Sequence, residues 1–142
     1  MRHTLEITDY TYDGLGIGKV DGFPIFVENA GIGDVVEVEI TRMKKNLAFA
    51  KIIKFIKQKS ITPICKDYYE CGGCHLMHLP YEEQLKFKTN HVSITIDKIA
   101  KLKTEIRFAK GMENPYNYRN KLIIPFDGDL AGIYKKGTHD IV

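Results

Sequence analysis

In "GDVVEVEI", Val36, Val38 and Ile40 alternate strictly with Glu37, Glu39 and Thr41, and this pattern restricts the first third of the chain more than any other feature. A period of two places the apolar residues on one face of an extended strand and the polar ones on the other. Leu5 and Ile7 alternate with Glu6 and Thr8 in the same way. "GFPIFVENA" reads as a further short strand and "LAFAKIIKFI" as the last. Glycines at 14, 16, 18, 22, 31 and 33 punctuate these runs, and Gly33-Asp34 reads as a turn into the longest strand. Five or so short strands within residues 1–57 predict a small closed barrel, because closure removes the unpaired edges that an open sheet would expose.

Residues 58–79 form a linker, "QKSITPI", and a loop holding every cysteine of the chain, Cys65, Cys71 and Cys74. Residues 80–142 form a third segment. Pro80 suits the start of a helix, and Glu82 and Glu83 suit its positive N-terminal end. The helix is expected to run to about Ala100, with Tyr81, Leu85, Val92, Ile96 and Ile99 as its apolar stripe, interrupted at Lys88. From Ile106 the chain is predicted to return to β structure, with an Asp127-Gly128 hairpin turn and a last strand in "GTHDIV". The fold class expected is mainly β with one helix: a small barrel, a cysteine loop, a helix and a further β segment.

Charge is distributed unevenly. The net charge is +3, yet Ile40 to Lys66 contains no Asp or Glu and eight basic residues, Lys44, Lys45, Lys51 and Lys54 among them. Such a block fits a polyanion, since neutralising phosphates releases counterions; the competing reading is a solvated lysine-rich face. The N-terminus has no signal-peptide core and no apolar run long enough to span a bilayer, so a cytoplasmic protein without membrane contact is expected.

C-x5-C-x2-C in a reducing compartment points away from disulfides and toward metal binding or thiol chemistry. Polar, glycine-rich flanks disfavour a core role for these cysteines. A catalytic thiol would need a base such as His75 or His78. Cys65, Cys71 and Cys74 with His78 would make a Cys3His zinc site; an iron–sulfur cubane would need a fourth thiolate. Spacing alone leaves the zinc and iron readings open.

"CKDYYECGGCHLMHLPYEEQLKFK" resembles the cluster-binding region of the RNA uracil-C5 methyltransferases. "YDGLGIGKVDGFPIFVENAGIGDVVEVEI" is similar to their N-terminal TRAM domain, an OB-like RNA-binding barrel. "YNYRNKLIIPF" and "GIYKKGTHDIV" are similar to two strands of their central domain. Met77 departs from the family pattern, where a glutamine is expected. The resemblance implies a 4Fe-4S cluster held by Cys65, Cys71 and Cys74, with the fourth cysteine beyond Val142. It implies S-adenosylmethionine as cofactor of the parent enzyme only, with the catalytic residues also beyond residue 142, and RNA, ribosomal by virtue of the TRAM domain, as partner of a monomer. The chain would be the RNA- and cluster-binding N-terminal part of such an enzyme, inactive by itself. Lys44, Lys45, Lys51, Lys54 and Arg119 are its candidate RNA contacts, and Tyr10, Tyr12, Tyr68 and Tyr69 its candidate stacking rings. Arg119 and Asn120 in "YRNK" serve substrate contact or sheet shape. The alternative is a stand-alone, non-catalytic RNA-binding module with a Cys3His zinc site.

Overall fold

A computed structural model describes all of residues 1–142. Strands β1 (Arg2–Tyr10), β2 (Gly16–Val20), β3 (Phe23–Val27), β4 (Val35–Met43) and β5 (Ala48–Lys57) close into a barrel in the order β1-β2-β3-β5-β4. All neighbours are antiparallel except β3 and β5. The alternation read in β1 and β4 is realised: Leu5, Ile7, Val36 and Val38 fill the interior with Ile25, Val27, Ala48 and Ala50. Ile40, nearer the rim, is only half-buried. Burial of this one contiguous cluster is the main stabilising term of the fold.

Two glycine positions have identifiable causes. Asp21 and Gly22, at φ 49° and 81°, form the two-residue loop between paired Val20 and Phe23, a turn whose twist suits a tight hairpin. At Gly18 a Cβ would lie 2.3 Å from Leu5 Cδ1 and 2.7 Å from the Glu6 carbonyl, so any side chain there would collide with the barrel wall.

Helix α1 (Tyr81–Thr95) starts directly after Pro80 and runs into a single π turn, Ile96–Ala100, which left-handed Lys101 (φ 55°) ends. The boundaries match the expectation. The packing does not, because no helix residue is fully buried, and Val92 and Ile99 of the expected stripe are exposed. The anchor is Phe87, whose ring meets Tyr10 of β1 edge-on at 5.6 Å. The Tyr81 hydroxyl accepts from the Met112 N–H and Thr89 Oγ1 from the Ala109 N–H, holding the returning chain against the helix. This helix is too short and polar to cross a membrane.

The return to β structure from Ile106 is realised only in part. Strands β6 (Phe126–Asp127) and β7 (Leu130–Ala131) form a hairpin with Gly128 and Asp129 in its loop, one residue later than read, and Ile141 makes an isolated bridge to Tyr134. Leu122, Ile123, Phe126 and Leu130 have strand character but no second layer over them, and all are exposed. Isolated strand segments are not stable without neighbours that cover a face.

Candidate cysteine site and nucleic-acid interface

The cysteine loop is built around one buried ring. Tyr68 is 2% exposed, and its hydroxyl lies 2.7 Å from His78 Nδ1 and 3.0 Å from the His75 carbonyl. His78 and Leu79 are equally buried. Leu76 fills the space over Gly14, and Leu79 that over Gly31, so the loop is seated on the barrel. A clamp of backbone bonds completes it: the Asp34 carboxylate, wholly buried, accepts the N–H groups of Gly31 (2.8 Å), Ser60 (2.9 Å) and Lys59, and the Ile61 N–H donates to the His78 carbonyl. Tyr68 is thus a structural anchor, which corrects its reading as a stacking ring; Tyr12 and Tyr69 remain exposed.

Turns Cys65–Tyr68 and Asp67–Cys71 present the thiols. Cys65 and Cys74 are exposed, Cys71 is half-buried, and all three are free. The Gly73 N–H donates to Cys71 Sγ at 3.3 Å. At Gly72 a Cβ would stand 2.9 Å from the Tyr134 carbonyl that its own N–H bonds, so a residue without a side chain is required there. Burial pushes the Cys74 thiol up, with the fields of Cys71 and Cys65 adding to it and those of Arg119 and Lys136 opposing. In this conformation no three His, Cys, Asp or Glu side chains are gathered tightly enough to hold an ion. The donor chemistry nonetheless fits a thiophilic centre: three free thiols in one ten-residue loop, a backbone N–H on one sulfur, and Arg119 lining the cleft beside Cys65 and Cys74 to offset thiolates.

His78 cannot complete a Cys3His set as folded. Its Nδ1 is engaged by Tyr68, and its Nε2 is buried beside the Ala30 carbonyl without a partner in hydrogen-bond geometry. Burial pulls its pKa down to about 4, against smaller opposing influences from Ala30 and Asp34. The sign follows. The unfolded chain takes up a proton at this side chain below about pH 6.5 and the folded one does not, so stability present at neutral pH is lost as pH falls toward 4. The whole window is worth on the order of 3 kcal/mol. Urea midpoints of the wild type should fall between pH 6.5 and 5, and His78→Gln should flatten that slope; an equal slope in both would remove His78 from the account.

A cleft of about 750 Å³ opens beside the thiols, lined by Cys65, Cys74, Met77, Gln84, Tyr116 and Arg119 among others. Arg119 thus stands with the cysteines and apart from the barrel lysines. The basic block is divided by its neighbours. Lys51 pairs with Glu39 at 3.0 Å and Lys54 lies opposite Glu37 in the β4–β5 register, while Arg2 reaches Glu37 at 3.8 Å. Glu37 and Glu39 lie just outside the acid-free window, and the sheet places them inside its field. Lys44 and Lys45, exposed in the β4–β5 turn, keep their charge free; Lys44 Nζ sits 5.3 Å from the centre of the Phe49 ring.

Residues 2–53, nearly the whole of the closed barrel, match the TRAM domain family. Over 97% of its length the chain is 44% identical to an uncharacterized RNA methyltransferase of Listeria innocua, of which it covers 32%. It is 40% identical over 94% of its length to another of Bacillus cereus, covering 31% of that protein. A solved conserved protein of Methanococcus maripaludis is 38% identical, with 37% of this chain and 76% of that one covered at a TM-score of 0.36. The chain is thus similar to a TRAM domain over its barrel and, over nearly its whole length, to part of curated RNA methyltransferases. The chain spans about a third of the length of the curated relatives it matches.

Proposed function

We propose that the chain is the RNA-gripping and iron–sulfur-holding part of an S-adenosylmethionine-dependent RNA uracil-C5 methyltransferase acting on ribosomal RNA in the cytoplasm. The observation that carries this reading is the seating of a loop with three free thiols, beside a cleft that Arg119 lines, on a barrel that matches the TRAM family. Cys65, Cys71 and Cys74 would hold the cluster, which when bound would tie together the two turns of the loop that carry them. Lys44 and Lys45 hold phosphates, and Arg119 meets RNA that enters the cleft beside Cys74. Among the relatives, the resemblance puts the methyl-donor site and the nucleophile outside the stretch matched here.

Incubated with a ribosomal RNA fragment and S-adenosylmethionine, the purified chain should bind the RNA, with an affinity that falls as salt rises, and form no 5-methyluridine. Formation of 5-methyluridine by the chain alone, or no RNA binding at low salt, would overturn the proposal.

A further inference from the structure

One row of residues on the outside of the barrel brings two aromatic rings together. Outward positions elsewhere include Thr4, Glu6 and Thr8 on β1, Lys19 on β2, Glu37, Glu39 and Thr41 on β4 and Lys51 and Lys54 on β5, with Ile53 and Ile56 of β5 also exposed. In one register line across four strands the occupants are Ile17, Phe26, Phe49 and Arg42. Their strand neighbours, Gly16 and Gly18, Ile25 and Val27, Ala48 and Ala50, are buried, so Phe26 and Phe49 project outward. The two rings meet edge-to-face at 5.7 Å and remain half-exposed, partly covered by each other.

Free positive charge surrounds these rings. The ion pairs of the chain engage Arg2, Lys51, Lys86 and Lys135, which leaves Lys19, Arg42, Lys44 and Lys45 without acidic partners. Lys44 is held over Phe49 by its ring face, and the Thr41 hydroxyl bonds the Phe49 carbonyl at 3.2 Å, fixing that strand edge. Planar rings with unpaired cations at their border match the two parts of a nucleotide, a flat base and a phosphate. A protein partner of ordinary apolar character would gain nothing from three unpaired cations at the rim of the patch.

We infer that the outward face of β2, β3, β5 and β4 is a stacking platform for single-stranded RNA, with Phe26 and Phe49 taking bases and Arg42, Lys44 and Lys45 the flanking phosphates. This inference rests on the reading of the barrel as RNA-binding and specifies where on it the strand lies. The bases are unpaired ones, since a duplex hides the ring faces that these side chains would meet.

The test uses the whole 142-residue chain, a fluorescein-labelled dodecauridylate and its abasic counterpart. Phe26→Ile with Phe49→Ile keeps apolar bulk and strand propensity and removes the aromatic faces. It should weaken dodecauridylate binding on the order of 10- to 100-fold while leaving the salt dependence and the abasic oligomer's affinity unchanged. Lys44→Ser with Lys45→Ser should instead weaken both oligomers and reduce the salt slope by about 1.4. Phe49→Tyr should retain binding, and thermal melting verifies that each variant is folded. Wild-type affinity in the folded double isoleucine variant would overturn the platform and leave the RNA-binding reading intact. So would polyglutamate competing as well as dodecauridylate in a Phe-dependent manner, which would make the face a site for acidic protein. No binding of dodecauridylate by the wild type at low salt would overturn both.

Discussion

Replacing Asp34 by Ala should lower the stability of the chain by on the order of 3–5 kcal/mol. Its carboxylate is fully buried and receives three backbone N–H groups, from Gly31 within its own turn and from Lys59 and Ser60 of the linker. Alanine would leave the buried Gly31 and Ser60 donors, and the part-buried Lys59 donor, with no acceptor, and each buried orphan costs about 1–3 kcal/mol. The consequence reaches beyond the barrel. These bonds fix where the linker leaves β5 and thus where His78 and Leu79 return to the barrel wall. Urea unfolding at pH 7 measures the loss, and Asp34→Asn, with one acceptor oxygen retained, should recover part of it. A loss below about 1 kcal/mol would show that solvent or relaxation satisfies the donors.

The barrel was legible because its information is local: Leu5 and Ile7 or Val36 and Val38 reveal the strand period within a few residues. The helix start was legible for the same reason, from Pro80, Glu82 and Glu83. What depends on partners distant in sequence was not. Lys51 and Lys54 read as free charge until the β4–β5 register sets Glu39 and Glu37 opposite them. "FPIFV" is apolar at every position, so nothing local separates inward Ile25 and Val27 from outward Phe26. The cysteine spacing identified the donor set, but the ring that organises it, Tyr68 against His78, lies in a stretch that reads as polar. Buried tyrosines keep a hydrogen-bond partner, and a histidine ten residues on was the available signal. Beyond Ile106 the strand propensity is present, and the covering layer that would turn it into sheet is missing from the fold described here.

Substituting any one of Cys65, Cys71 or Cys74 by Ser should abolish metal uptake rather than weaken it, because three thiolates are the fewest that hold an iron–sulfur cubane, with a thiol reductant at its remaining corner. Far-UV circular dichroism should stay unchanged, since the barrel core contains none of these residues. The direct measurement is the iron, sulfide and zinc content of the chain after anaerobic incubation with all three in the presence of thiol. The expected result is a brown protein with about four irons and an equal amount of sulfide, bleached by air, retained in His78→Gln and lost in each cysteine variant. A colourless protein carrying one zinc per chain, dependent on His78 and indifferent to iron and sulfide, would contradict it.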